Sequence, residues 1–259
     1  MARQREPEGP PPAQVVQKVR LRYAKRGRLR FSSTRDFQRA LERALRRAQV
    51  PIAFSAGFHP HPRISYANAA STGTASEAEY VELALTRSVD PATLAAALDA
   101  ALPPGLDIVA AAEATPGALA DRLQASDWAI AVRGMDASEL GAAIETFLAA
   151  ERIEVSRMFK TGLRTFDARA AVILMRLDTA ESLAVLTEVV APECAILRMV
   201  VRHTTPAVRP DDILTALRAV AGLEPPTPPL VIRLAQGPLQ DDNATVADPL
   251  AAIESVAGA

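Results

Sequence analysis

The 259-residue sequence predicts an α+β fold: two ferredoxin-like (split βαβ) sandwiches in tandem, each with an antiparallel sheet. Three observations carry this expectation. Short segments of alternating apolar and polar residues recur along the chain, bounded by Gly, Pro and small polar residues. One stretch, 33–48, has a clean helical stripe. The segments run β-α-β-β-α-β over residues 15–113, and a second, similar series occupies 126–222. Helices are then expected on one face of each sheet, with the other face open.

Taken in order, residues 1–14 (MARQREPEGPPPAQ) are rich in Pro and charge and have nothing to bury, which predicts a disordered arm. From Val15 a period of two places Val19, Leu21 and Tyr23 on one side of a strand and Lys18, Arg20 and Arg22 on the other. After a turn at Lys25-Arg26-Gly27, alternation resumes with Leu29 and Phe31 inward and Arg28 and Arg30 outward. Ser33-Thr-Arg-Asp36 reads as a helix start, a hydroxyl cap with an acid three residues on. Phe37, Ala40, Leu41, Ala44, Leu45 and Ala48 form the buried stripe, and the opposite face carries Arg35, Arg39, Arg43, Arg46 and Arg47 against one acid, Glu42. Pro51 stops the helix.

Ile52–Phe54 reads as a short strand, 63–69 as extended, 69–76 as a small-residue loop around Gly73, and 77–85 as a strand. Asp90-Pro91 caps a helix to about Leu102, and Leu106–Ala112 is a strand. A connector covers 114–125. The second series runs strand 127–133, helix 137–150, strand 153–158, turn Lys160-Thr-Gly162, strand 164–177, helix 181–190, strand 195–203 and helix 210–220. Residues 223–259 hold a Pro-rich linker, a short edge strand at Leu230–Leu234 and an acidic, Ala-rich tail from Asp241 that is expected to be disordered.

Composition excludes several functions. The single cysteine, Cys194, rules out an intrachain disulfide framework and any CxxC zinc or iron–sulfur motif. No P-loop, GxGxxG or Ser-His-Asp arrangement is legible, so nucleotide hydrolysis and dinucleotide chemistry lack support. No apolar run reaches the length of a membrane span and no N-terminal signal segment is evident, which predicts a cytoplasmic protein with no membrane partner. The net charge of −1 conceals an asymmetry: residues 1–66 hold 15 of the 29 basic residues but 4 of the 30 acidic ones. A cationic end of this kind suits a polyanion. The basic candidates for RNA phosphate contact are Arg20, Arg22, Arg28, Arg30, Arg35, Arg39, Arg43, Arg46, Arg63, Lys160 and Arg164, because guanidinium forks match phosphate bidentately. With no pair of exposed aromatics expected on the open sheet face, recognition is expected through backbone or shape rather than base by base. At Lys160–Arg169 a hairpin with a local Asp167–Arg169 ion pair is the simpler reading, with phosphate contact as the other.

The other unusual stretch is Ser55-Ala-Gly-Phe-His-Pro-His-Pro-Arg-Ile-Ser-Tyr66, which holds two of the three histidines. Each proline pushes the residue before it toward extended geometry, so His59 and His61 are expected in a stiff extended run with both rings on one side. Three roles are open for them: loop residues held by hydrogen bonds, general acid/base groups for RNA cleavage, or metal ligands. A metal would need a third ligand from His203, Cys194 or a carboxylate, and H-x-H alone is a weak signal, so no metal or cofactor is expected. Ser55, Gly57, Phe58, Pro60 and Pro62 shape this loop, and Gly73, Glu77 and Glu79 the next one, where the acids either orient a histidine or cap strands.

Arg30-Phe31-Ser-Ser-Thr-Arg-Asp36, Arg43-Ala-Leu-Arg-Arg-Ala48, Pro51, the run from Ser55 through Ser65, and Gly73 with Ser76-Glu77-Ala-Glu79-Tyr80 together resemble the radical-SAM-linked protein family. That is an uncharacterised bacterial domain, stand-alone or fused behind a cobalamin-binding radical SAM domain. The likeness is most specific over about 17–113 and continues more loosely through Lys160–Arg169 to about residue 220; Arg233-Leu-Ala-Gln-Gly-Pro-Leu239 resembles an actinobacterial version. The resemblance implies a radical SAM enzyme and an RNase E/G-type ribonuclease as partners, and it favours His61 over His59, whose position is often Asn in the family. With one cysteine this chain does not carry the three-cysteine cluster of radical SAM chemistry, so the enzyme would act in trans. The leading expectation is an RNA-binding accessory protein presenting tRNA or rRNA to a partner enzyme. A metal-independent endoribonuclease using His61, or a scaffold docking an acidic protein, are the alternatives.

Overall fold

The computed structural model describes residues 13–179, 194–240 and 244–251. The predicted helix 181–190, nearly all of the arm 1–14, and parts of the tail lie outside the described residues. The fold is mixed α+β, with a large, mostly antiparallel sheet of eight strands. Contacts divide the described chain into two units, residues 13–72, 79–120 and 250–251 in one, and 73–78 with 121–249 in the other.

The first unit is built from β1 (Gln17–Lys25), α1 (Thr34–Arg47), β2 (Ile64–Ala67), β3 (Ala75–Leu85) from Glu79 onward, α2 (Pro91–Ala101) and β4 (Ile108–Glu113). Its strand order is β4–β1–β3–β2. The start of α1 follows from local chemistry. Ser33 Oγ accepts from Asp36 N–H at 3.2 Å while the Asp36 carboxylate accepts from Ser33 N–H at 3.1 Å, a reciprocal cap. The carboxyl of Asp36 is held below its usual range by the side-chain and backbone hydrogen bonds of Ser33, with Arg39 and Arg35 adding to the effect. Phe37, Ala40, Leu41, Ala44 and Leu45 are buried, as the stripe requires. Phe37 stacks on Tyr23 with ring centroids 3.8 Å apart, and meets Tyr66 edge-on. Val19, Leu21, Leu83, Leu85, Leu94 and Leu98 complete this core.

Residues 28–31 are not a strand. Gly27, at φ +52°, ends β1 and a 3-10 turn runs Gly27–Phe31, closed by Leu29 N–H to Arg26 O and Ser32 N–H to Leu29 O. Phe31, expected inward, is instead 58% exposed. Ile52 and Phe54 form only single bridges, to Leu85 and Pro62.

The second unit contains β5 (Ala125–Val132), α4 (Ala137–Ala149), the hairpin β6 (Glu154–Phe159) and β7 (Gly162–Asp167), β8 (Val172–Asp178), β9 (Ala195–Arg202), α5 (Pro210–Ala221) and β10 (Leu230–Gly237). A four-residue helix, α3 (Leu119–Arg122), lies within the predicted connector. The single strand expected at 164–177 is split, because a 3-10 turn at Arg169–Ala171 separates β7 from β8. Asp167 accepts the backbone N–H groups of Ile153, Arg169 and Ala170, so it organises this turn through the backbone rather than through an ion pair with Arg169.

The strand order is β10–β5–β9–β8. Leu230–Leu234 was expected at an edge. It begins an eight-residue strand that pairs on both sides, antiparallel with β5 and parallel with Ala75–Ser76 at the start of β3. The tail also departs from the expected disorder: β12 (Thr245–Val246) pairs antiparallel with β11 (Leu239–Gln240). Gly237 permits this return, since a Cβ there would collide with the backbone carbonyl of Ala247. Gly237→Ala is therefore expected to cost about 1–3 kcal/mol by overpacking and to detach residues 244–251, seen as faster proteolytic trimming of the C-terminus.

Candidate nucleic-acid interface

The basic residues predicted for one surface divide into three classes by environment. Arg20 is removed from the surface altogether, at 1% exposure. Its Nε donates to Glu82 on β3 at 2.9 Å, and its other nitrogens donate to Thr115 Oγ1 at 3.0 Å and to Gly117 O at 2.6 Å. Lys18 donates to the other oxygen of Glu82 at 2.9 Å. Burial raises the affinity of Glu82 for a proton, but hydrogen bonds and charge from Lys18 and Arg20 outweigh it and hold the carboxyl below its ordinary range. Around Arg20 the second face of β1, expected open, is thus closed by the segment following β4, which also anchors through Ala114 N–H to Lys18 O. Arg20 is a structural cation and not a phosphate contact. Arg22, on the same face, is half-buried.

The second class lies on α1. Arg35, Arg39, Arg43, Arg46 and Arg47 are all exposed. Among the described residues, none of Arg35, Arg39, Arg43 and Arg46 forms an ion pair. Of the two acids on the helix, Asp36 is engaged with Ser33, and half-buried Glu42 leaves four guanidinium groups set against one remaining carboxylate. Side chains four apart on a helix stand about 6 Å apart along its axis, so the face is a row of evenly spaced guanidinium groups. At the N-terminal end, Arg28 is exposed and the Arg30 guanidinium lies 4.5 Å over the Phe31 ring.

The third class is borne by the second unit. Lys160 and Arg164 are exposed at the β6–β7 hairpin, where Arg164 lies 5.4 Å from the Phe159 ring. Arg157 secures this hairpin to α5 by pairing with Asp212 and donating to Ala207 O at 2.9 Å.

The histidine run does not stay extended. The backbone bends over Ala56–His59, with Gly57 at φ +118°, and returns on itself. Ser55 N–H donates to His61 O at 2.8 Å, His61 N–H donates to Ser55 Oγ at 3.1 Å, and Arg63 N–H donates to Ala53 O at 2.7 Å. Closure by these bonds outweighs the extending effect of the prolines, and His59 sits within the bend. Both histidines and Arg63 are exposed, Pro60 is exposed and Pro62 half-buried. Phe54 and Phe58 are 46% and 63% exposed, so the loop carries exposed aromatics that the sequence did not lead us to expect. Glu79 does not orient a histidine: it is buried and accepts Ala70 N–H at 2.9 Å, tying down the Gly73 loop. Glu77 is half-buried.

His203 is engaged within the second unit. Its Nδ1–H donates to Leu123 O at 2.6 Å and Nε2 accepts from the buried Ser126 hydroxyl at 2.7 Å. Burial pushes its pKa below the usual imidazole value, against the opposing effect of the Leu123 hydrogen bond. Among the described residues no three His, Cys, Asp or Glu side chains come together as a metal-holding group, and no helix is long and apolar enough to cross a membrane.

Residues 18–210 match the sequence profile of a family described as "Uncharacterized protein conserved in bacteria (DUF2344)". No curated protein matches the chain.

Proposed function

The chain belongs to this family of uncharacterised bacterial proteins, and on that premise we propose that it is an RNA-binding accessory protein that presents structured RNA, a tRNA or rRNA, to a partner enzyme. One observation carries the reading: the exposed row Arg35, Arg39, Arg43 and Arg46 on α1, which makes no internal ion pair among the described residues. Arg20 shows what happens to a guanidinium needed for structure in this chain, where a carboxylate and two further acceptors neutralise or saturate it. The α1 row has no such provision. A polyanion whose phosphates are spaced along a strand supplies it, releasing counterions as it binds.

The two strand orders, β4–β1–β3–β2 and β10–β5–β9–β8, support reading each unit as a split βαβ, ferredoxin-like sandwich. Related architectures carry RNA on the sheet face. Here the cations favour the helix face, since the sheet-side Arg20 is buried. The resemblance to the radical-SAM-linked family supports a radical SAM enzyme acting in trans as the partner, with an RNase E/G-type ribonuclease as a further member of the assembly.

The test is titration of purified full-length chain with labelled tRNA and rRNA fragments over a salt series. The expected result is a linear fall of log K with log salt, with a slope of about −0.7 to −0.9 for each phosphate neutralised. Absence of salt-sensitive binding overturns the proposal.

A further inference from the structure

We infer that the Ser55–Pro62 loop is a stacking platform for unpaired bases of the RNA whose phosphates lie along α1, so that the ligand is single-stranded or looped RNA rather than continuous duplex. The inference rests on the RNA-binding reading above and names the part of the RNA that this surface takes.

Exposed rings concentrate here. Phe54 and Phe58 stand largely in solvent beside exposed His59 and His61, although a folded chain ordinarily buries its phenylalanines. The loop backbone that carries the rings is also held in place: two backbone hydrogen bonds and one to the Ser55 hydroxyl close it, and Pro60 and Pro62 restrict its φ angles. Ordering cost is thereby met before any ligand arrives. Along the sequence their neighbourhood is cationic. No acidic residue occurs between Glu42 and Glu77, while Arg43, Arg46, Arg47 and Arg63 fall in that span.

Exposed aromatics in a stretch of sequence that carries cations and no acid fit a polyanion that also offers π-faces, which is single-stranded nucleic acid. The same pairing recurs at the other end of α1, where Arg30 lies over exposed Phe31. In chain order rings therefore precede and follow α1, a helix about 21 Å long. In a duplex the bases are stacked on each other and closed to such rings, whereas splayed bases stack readily on Phe, His and Arg. On this reading His61 contributes its ring face, not a proton.

The experiment compares binding of an oligouridylate with that of an RNA duplex of equal length, using the wild-type chain and the variants Phe58→Ala, His61→Ala, His61→Phe and Arg39→Ala/Arg43→Ala. Wild-type chain is expected to prefer the single strand. Phe58→Ala should weaken single-strand binding roughly 5- to 150-fold, the span of one base–aromatic stack, with the salt slope and thermal midpoint unchanged. His61→Phe should retain the binding that His61→Ala loses. The inference falls if duplex binds as tightly as single strand, if Phe58→Ala is silent, or if His61→Phe is as weak as His61→Ala. If the arginine pair still weakens binding in that event, the RNA reading stands without the platform; if the pair is silent as well, the RNA reading falls with it.

Discussion

Arg20→Ala is expected to lower the free energy of unfolding by about 3–5 kcal/mol, the range seen when one member of a buried ion pair is removed. The substitution leaves Glu82, at 7% exposure, with only the exposed Lys18 as a charge partner, and strips Thr115 Oγ1 and Gly117 O of their donor. The segment after β4 should loosen along with the charge defect. Urea denaturation measures the first effect and amide exchange over residues 114–117 the second. The double variant Arg20→Met/Glu82→Leu is expected to recover most of the loss, because replacing a buried pair by apolar side chains of similar volume is often neutral. Failure to recover would assign the loss to the Thr115 and Gly117 contacts instead.

The pH dependence has a definite sign. Glu82 has a folded pKa below its unfolded one, so its contribution is present above the unfolded pKa and is lost as pH falls through the folded pKa. In Arg20→Ala this acid-side loss should shrink, since the carboxylate has lost a hydrogen-bond donor that favoured its ionised form.

Arg20 also marks where sequence reasoning stops. Its phase in β1, opposite Val19 and Leu21, follows from alternation, but its burial depends on Thr115 and Gly117, residues more than ninety positions away. Nothing local announces which loop crosses a sheet face. The helix α1 was legible because its cap and stripe are contained within about sixteen residues. The strand at 230 was legible as a strand, but its place between β5 and the start of β3 is set by distant pairing. In the histidine loop the local rule for residues preceding proline pointed to extension, and a six-residue closure between Ser55 and His61 overrode it. Phe31 was assigned inward by extrapolating the alternation across Gly27, whose positive φ resets the phase. The exposure of the arginine row survived every one of these corrections because it follows from the helix period, and the helix has two acids, one of them, Asp36, already engaged with Ser33.

That row carries the second large expected effect. Arg39→Ala/Arg43→Ala should weaken RNA binding about 100-fold, taking each charge-assisted contact at the low end of its range, ~1.5 kcal/mol. It should also flatten the log K against log salt slope by roughly 1.4 to 1.8 in total, since two phosphates are no longer neutralised. The fold should not suffer: both side chains are exposed, the buried stripe is untouched, and Ala is the better helix former. The slope is the sharper readout, because a misfolded or partly active preparation lowers the apparent affinity without changing the number of counterions released. Arg20→Ala supplies the internal contrast. It should lose stability while leaving the salt slope of its folded fraction at the wild-type value, since Arg20 faces Glu82 and never the solvent. Two arginine substitutions, one structural and one superficial, thus separate along different measured axes. A flattened slope in both, or in neither, would remove α1 as the phosphate-binding surface.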